Sequence, residues 1–249
     1  MTPSSQPQSM QPFCKACHAE LDHGKSLGQK NGFELLRCPC GTVTVDPFPT
    51  LEELDRFYQS YKGSKVYRPK AKKKIRRALR RVRRLKTYTK GRRFLDVGCN
   101  CGFTVKAALD LGLDAYGIDL DRDAVQISRE AYGEKNFEAL SIQDYAARGK
   151  KADILYTSEV IEHVPDPPSF VKAAADILEP GGILYLTTPD AGHWSLPRDF
   201  AAWRAVTPPS HIVYFTRQSL TRLLQKHGFR VKKVFFSFKP GLRLIAQKA

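Results

Sequence analysis

From residue 93 onward the chain alternates two apolar patterns. Short unbroken runs, RFLDVG, DAYGID, NFEAL, ADILYTS and ILYLTTP, have the length and composition of buried strands. Between them, FTVKAALDLG, DRDAVQISREAYG and PPSFVKAAADILEPGG place apolar residues at helical spacing, the last closed by Pro-Gly-Gly. TRQSLTRLLQKHGF predicts a further helix, with Thr216 as N-cap and Gly228 at its end. RVKKVFFSF and LRLIAQK read as two final strands. Such alternation predicts an α/β fold, a doubly wound and mostly parallel sheet covered on both faces. No internal repeat is visible.

Ahead of this pattern the chain is organised differently. Residues 1–12 are polar, lack the apolar core of an export signal and read as a disordered tail. Residues 13–50 are short, turn-rich and cysteine-bearing. Residues 51–90 form a helical linker, in which Ile75, Leu79, Val82 and Leu85 fall on one helical face. Residues 91–249 hold the α/β domain. The chain of 249 residues, 42% hydrophobic, suffices for one sizeable core and a small appendage. No apolar run approaches the ~20 residues that span a bilayer, so a cytoplasmic protein is expected, with peripheral attachment at the inner membrane surface as an option.

Charge changes the picture in one place. No Asp or Glu lies between Asp55 and Asp96, while eighteen Lys and Arg do, fifteen of them between Arg68 and Arg93. The rest of the chain is nearly balanced, with 23 basic and 25 acidic residues. The basicity therefore belongs to one segment, an amphipathic helix with a cationic back. Its readings are a solvated face, a surface for anionic lipid or glycoconjugate, or a holder of RNA. Few aromatics interleave with it, so base stacking has little support.

The chemistry begins in FLDVGCNCGF. A strand ends at Val97-Gly98 and a helix starts after Gly102, and ligands of doubly wound sheets bind at such strand ends. Gly98-x-x-x-Gly102 is neither the dinucleotide fingerprint nor a phosphate loop, so the ligand need not carry a pyrophosphate. Asp119, ending the second strand, suits the hydroxyls of a ribose. Asp96, at the mouth of the first, can balance a cationic ligand, and Asp144, after the third, can meet an adenine amino group. A ribose, an adenine and a positive tail together suggest S-adenosylmethionine.

The motif order LDVGCNCG, GIDLD, SEVIEHVPDP and LEPGGILYLTTP resembles that of class I S-adenosylmethionine-dependent methyltransferases over about residues 91–249. Its EVIEHV element is similar to that of ubiquinone-pathway O-methyltransferases. The resemblance implies a Rossmann-like seven-stranded sheet with a reversed final hairpin. It also implies a cofactor site lined by Gly98, Cys99, Asn100, Gly102, Asp119, Leu120 and the backbone near Ser158. The two loop cysteines are unusual for the family and read as small loop residues or a redox-sensitive loop.

Cys14-x-x-Cys17 and Cys38-x-Cys40, with no export signal, point to a metal rather than disulfides. A module under 40 residues has little core, and zinc would stabilise it. CKAC…LLRCPCGTVTVDPFPTLEELDRFYQSYK resembles the zinc-ribbon prefix of some bacterial methyltransferases, many of which act on sugars or glycoconjugates. Here the second knuckle is C-x-C instead of C-x-x-C, so His18 or His23 stands as an alternative to Cys38 or Cys40. Four thiolates leave zinc no open position, making it structural.

Methyl transfer to oxygen needs a base, and histidine suits neutral pH. His163 in SEVIEHV and His211 in PPSHIVYFT are the candidates; by resemblance the second faces the active site. Glu159 and Glu162 can orient a histidine or cap a helix, and no set of acids and histidines signals a catalytic Mg²⁺. His193 reads as a surface residue. Asp190–Phe215 is long and carries Trp194, Phe200, Trp203 and Tyr214, as an aromatic lid or as plain core. The expected activity is S-adenosylmethionine-dependent O-methylation of a sugar, glycolipid or other small metabolite. The alternatives are an RNA methyltransferase and a non-catalytic scaffold of the same fold.

Overall fold

The computed structural model describes residues 12–22, 25–60 and 71–249. The expected tail up to residue 11, His23, and the start of the basic run at 68–70 lie outside the described residues. No described helix is long and apolar enough to cross a membrane.

Three short strands open the structure: β1 (Ser26–Lys30), β2 (Phe33–Arg37) and β3 (Val43–Asp46), an antiparallel meander. Asn31-Gly32 turns β1 into β2 with positive φ at both residues, 51° and 83°. That backbone matches the twist of a two-residue hairpin. Helix α1 (Leu51–Ser60) begins at Thr50, whose hydroxyl accepts from the Glu53 amide while Glu53 Oε2 accepts from the Thr50 amide. This reciprocal cap satisfies two donors at the helix start. Helix α2 (Ala71–Leu85) carries the basic run. It buries Ala78, Val82 and Leu85, with Ile75 and Leu79 half-buried beside them. Its apolar stripe packs with Phe94, Ile154, Ile183 and Ile245 on one face of the main sheet.

The main sheet has seven strands in the order β10-β11-β8-β7-β4-β5-β6. Its parallel part is β4 (Arg93–Val97), β5 (Asp114–Asp119), β6 (Phe137–Ala139), β7 (Ala152–Ser158) and β8 (Leu178–Pro189). The connecting helices are α3 (Phe103–Asp110), α4 (Arg122–Tyr132), α5 (Ile142–Ala147) and α6 (Pro167–Ile177). After a long connection come a two-residue strand β9 (Val213–Tyr214), helix α7 (Arg217–Lys226), β10 (Phe229–Val234) and β11 (Gly241–Lys248). β11 runs antiparallel to both neighbours, which is the reversed strand expected at the end of the sheet. The order reverses beside β4, so the crevice for a ligand opens at the carboxyl ends of β4, β5 and β7.

Three local differences from the sequence pattern have physical causes. Helix α6 stops at Ile177 rather than at the glycines, because Pro180 disfavours helical backbone at Glu179 and Leu178 already pairs with Ala152. Helix α5 was not anticipated; Ser141 caps it by accepting from the Asp144 amide. Strand β9 leaves the long connection to pair with β3, so the N-terminal meander and the 190–215 segment share a four-stranded sheet.

Candidate active site

The loop after β4 is shaped by backbone that only glycine tolerates. Gly98 has φ 76°, and a Cβ there would lie 2.4 Å from Val160 Cγ2. Gly102 has φ 70°, and a Cβ would lie 2.6 Å from the Phe137 ring. Both positions bring the loop against neighbouring segments more closely than any side chain permits. Asn100, also at positive φ, donates its amide to Asp119 Oδ2 at 2.7 Å. The Asp121 amide donates to Asp119 Oδ1 at 2.9 Å. Each carboxylate oxygen has a second lone pair, so Asp119 can still accept from a ligand's hydroxyls. Burial raises its pKa, and the backbone amides oppose that shift.

Next to Asp119, Leu120 is 76% exposed, an apolar surface at the crevice suited to the face of a purine. Asp96 is 2% exposed, and burial, aided by the charge of Asp119, pushes its carboxyl up to about 8. It is therefore poised to ionise when a positive charge arrives. Cys99 is buried with its sulfur against Gly117, and Cys101 is buried too, so both act as small packing residues. Asp144 is exposed, and its Oδ2 accepts from Ser141 Oγ at 2.6 Å within the α5 cap. That gives it a local capping bond beside any contact with adenine.

The 3-10 turn Ile161–His163 follows β7 and brings the second half of the site together. Ser158 Oγ and Thr187 Oγ1 lie 2.7 Å apart, and the Glu159 amide donates to the Thr187 carbonyl at 2.9 Å. Glu159 has φ 57°, a strained setting held by that bond and by Thr187 Oγ1 donating to its Oε1 at 2.7 Å. His163 and His211 meet edge to face, ring centroids 4.6 Å apart. His163 Nδ1–H donates to the Ser210 carbonyl and His211 Nδ1–H to the Ala205 carbonyl, each at 2.7 Å. Because a carbonyl only accepts, both neutral rings keep their lone pair on Nε2. Burial lowers the pKa of both, and the nearness of a second imidazole, which would repel a second positive charge, helps bring His163 down to about 4.

Glu162 completes this group. It is fully buried, and burial, with the charge of Glu159, pushes its carboxyl up to about 8. Thr188 Oγ1 donates to its Oε2 at 2.9 Å, while Oε1 has no hydrogen-bond partner among the described residues. One donor atom from each of Glu162, His163 and His211 lies within 4.8 Å of the others. The sequence pattern pointed to the two histidines and offered Glu159 and Glu162 as residues that can orient one; the structure brings Glu162 to both. Two neutral imidazoles beside a protonated carboxyl can take and pass on a proton.

The 190–215 segment is mostly core. Phe200, Trp203 and Tyr214 are buried in mutual contact, with Phe200 5.6 Å from Trp203 and 5.8 Å from Tyr214. Trp194 alone of the four aromatics is exposed. His193 bonds through both ring nitrogens, to Ser195 Oγ and the Ser237 carbonyl.

The N-terminal thiols form a separate cluster. Cys14 and Cys40 sulfurs are 3.7 Å apart and Cys17 and Cys38 sulfurs 3.5 Å, with all four within 4.8 Å of one another. Zn–S bonds of about 2.3 Å in a tetrahedron put sulfurs about 3.8 Å apart, so the thiols suit such an ion. The C-x-C knuckle brings both of its cysteines in, because Gly41 at φ 97° turns the chain back with its amide on the Cys38 carbonyl. The shared hydrogen bond with Cys14 drops Cys40 to about 4 and raises Cys14, while burial lifts Cys38 to about 11. The cluster thus holds one thiolate readily and gains further negative charge only with a cation to balance it.

A seven-stranded doubly wound sheet with its reversed edge strand, a glycine-bounded loop after β4 and a carboxylate ending β5 define the fold of class I S-adenosylmethionine-dependent methyltransferases. The chain belongs to the methyltransferase domain family, which matches residues 67–234. It is similar to a ubiquinone biosynthesis O-methyltransferase of Thiobacillus denitrificans, 37% identical over 103 residues. That match covers 39% of this chain and 44% of the relative, so it spans less than half of either. A solved S-adenosylmethionine-dependent methyltransferase from Archaeoglobus fulgidus shares the fold, with TM-score 0.56, 19% identity, 70% of this chain covered and 94% of that one. So does magnesium protoporphyrin IX methyltransferase from Synechocystis, solved with bound S-adenosylhomocysteine, with TM-score 0.54, 17% identity, and 71% and 86% covered.

Proposed function

We propose that this protein transfers a methyl group from S-adenosylmethionine to a hydroxyl oxygen of a sugar, glycolipid or other small metabolite. The His163–His211 pair carries this reading: two half-buried neutral imidazoles, each with its lone pair on Nε2, at the carboxyl edge of the sheet. The similar Thiobacillus denitrificans protein is a ubiquinone biosynthesis O-methyltransferase, which favours oxygen as the acceptor atom. Asp119 would hold the ribose, Leu120 the adenine face, and Asp96 the cationic end of the cofactor, with Gly98, Asn100 and Gly102 shaping the loop around it. The bound cofactor supplies an electrophilic methyl group on a sulfonium.

The chain's own part is to position the acceptor and accept its proton. His163 Nε2 or His211 Nε2 takes the hydroxyl proton, and the carbonyls of Ser210 and Ala205 keep the rings in the receptive tautomer. Glu162 beside them keeps its own proton and stabilises an imidazolium, once it forms, through the dipole of its carboxyl. Four thiolates, Cys14, Cys17, Cys38 and Cys40, would hold a structural zinc ion and brace the N-terminal sheet.

A labelled-methyl assay over a panel of hydroxylated acceptors tests the proposal, alongside calorimetric titration with S-adenosylmethionine. His163→Gln and His211→Gln should each lower kcat about a hundredfold or more while leaving cofactor affinity within about twofold. Asp119→Ala should abolish cofactor binding. A folded, zinc-loaded protein that binds no cofactor would favour the scaffold alternative. Turnover that survives both histidine replacements would remove them from the chemistry.

A further inference from the structure

Two surface features have no part in that chemistry. The first is an aromatic tip. Residues 235–240, joining β10 to β11, expose Phe236 by 71% and Phe238 by 79%, and Trp194 nearby is 73% exposed. The two phenylalanine rings meet edge to face with centroids 4.8 Å apart. His193 ties Trp194 to them, its Nε2–H donating to the Ser237 carbonyl at 3.0 Å and its ring 5.4 Å from the indole. Single exposed apolar residues are ordinary, but three large aromatics gathered on two adjoining loops mark a contact site. Gly241 pairs with Pro189, and the Asp190 amide donates to the Pro240 carbonyl, so the tip stands at the carboxyl edge of β8. That is the edge on which the active-site loops lie.

The second feature is charge. Helix α2 turns Lys72, Lys73, Arg76, Arg77, Arg80 and Arg83 to the outside. Its neighbour Arg84 lies 4.7 Å over the Phe235 ring, which Arg243 of β11 also approaches at 5.3 Å. The cationic helix and the aromatic hairpin are therefore one continuous surface. At the other end of α2, Lys74 sits over the Phe103 ring, immediately after Gly102 of the cofactor loop. The cationic helix therefore also reaches the cleft edge.

We propose that this face docks on the surface of an anionic lipid bilayer. Trp194, Phe236 and Phe238 enter the interfacial layer, and the cations of α2 and the hairpin meet lipid phosphates. Aromatic side chains favour the interface, and juxtaposed Lys and Arg supply the attraction that a few aromatics lack alone. A single-stranded nucleic acid would want a row of open ring faces along a groove, whereas Phe236 and Phe238 cover one another edge to face. Docking in this way turns the cleft edge toward the bilayer, and an amphiphile with a hydroxyl near its headgroup reaches the site from there. The docking itself depends on no step of the proposed reaction.

Sedimentation of the full-length, zinc-loaded protein with lipid vesicles tests it. The expected result is retention on phosphatidylcholine vesicles containing about one third phosphatidylglycerol, and none on phosphatidylcholine alone. Retention should fall steeply as salt rises from about 0.05 to 0.5 M. Phe236→Ser combined with Phe238→Ser should weaken partitioning at least about tenfold. Arg76→Ala combined with Arg80→Ala should weaken it roughly twentyfold, at about fivefold per charge. Cofactor binding by the same variants verifies that they fold. Absence of retention on anionic vesicles, or retention indifferent to the aromatic pair, overturns the proposal. Tighter binding to a single-stranded RNA oligonucleotide, with the same dependence on the aromatics, would overturn it in favour of RNA. Retention without methyl transfer would uphold docking and reject the reaction; transfer without retention would do the reverse.

Discussion

Replacing Asp96 by Asn removes one proton-binding group from the floor of the cofactor loop. In the free protein burial, with the charge of Asp119, places its pKa at about 8, against an ordinary 3.8. At pH 7 such a group is about nine-tenths protonated. A cation seated beside it draws the carboxylate form, so S-adenosylmethionine binding at pH 7 should expel about 0.9 proton that Asn cannot supply. Ionising the carboxyl costs roughly 1.4 kcal/mol at that pH, a toll that disappears by pH 9. Wild-type affinity should therefore climb by up to about tenfold per pH unit below pH 8, while Asp96→Asn stays comparatively flat.

Calorimetric titration in buffers of small and large ionisation enthalpy counts the proton directly. The same shift bears on the fold. A carboxyl whose pKa is raised on folding contributes its full stability below pH 3.8 and loses it as pH rises toward 8. Roughly 4 kcal/mol should be lost between pH 4 and pH 7 in the wild type and be retained by the Asn variant. Equal proton release by wild type and variant would refute the reasoning. So would a wild-type affinity that is constant from pH 6 to pH 8.

Gly98→Ala meets both a left-handed backbone and Val160 Cγ2 at 2.4 Å, and should cost about 2–4 kcal/mol in denaturant unfolding. Gly149→Ala has the same backbone sign at φ 68° with open space around it, and should cost only about 1 kcal/mol. His163, whose pKa falls on folding from 6.5 to about 4, costs stability as pH drops below 6.5, approaching roughly 3 kcal/mol by pH 4. The difference in unfolding free energy between wild type and His163→Gln, followed from pH 7 to pH 4, should show that slope. Metal removal by a chelator should lower Tm and open four thiols to a thiol reagent, with Cys99 and Cys101 unreactive until the protein unfolds. One zinc per chain by native mass spectrometry is the accompanying expectation.

Much of the fold was legible because its signals are local. The strands ending at Val97, Asp119 and Ser158 are short apolar runs, and Thr216 is the N-cap of α7 as predicted, with Ser219 completing the box. The misses are of two kinds. Helix α5 is six residues long, too short for a helical period to emerge, and α6 was extended past the point where Pro180 stops it. The others are non-local. Strand β9 is two residues whose partner, β3, lies some 170 positions earlier. Glu162, with an oxygen unpartnered among the described residues, meets both His163 and His211 only after the chain returns 49 residues later. The buried role of Phe200, Trp203 and Tyr214 likewise depends on a surface that another part of the chain provides.

That surface changes what the N-terminal cysteines are for. His211 stands two residues ahead of β9, and Val43 and Thr44 of β3 pair with Tyr214 and Val213. The Val45 amide donates to the Ile212 carbonyl at 3.2 Å, and the Ile212 amide donates to the Glu162 carbonyl at 3.0 Å. Asn31 Nδ2 reaches the Pro208 carbonyl at 2.8 Å, and Lys30 Nζ the Ala201 carbonyl at 3.1 Å. The Val45, Asn31 and Lys30 bonds join the cysteine-bearing sheet to the segment carrying His211, and the Ile212–Glu162 bond carries the connection through to the turn of His163. A loop of this length would ordinarily move on its own. Here it is a strand of someone else's sheet, and that sheet hangs from four thiols between residues 14 and 40. The distance between the two imidazoles is thus set from both sides, by β7 for His163 and by the N-terminal sheet for His211. Binding a nucleoside alone would leave the second constraint without a use; the proposed proton transfer, which needs two imidazoles held with ring centroids 4.6 Å apart, gives it one.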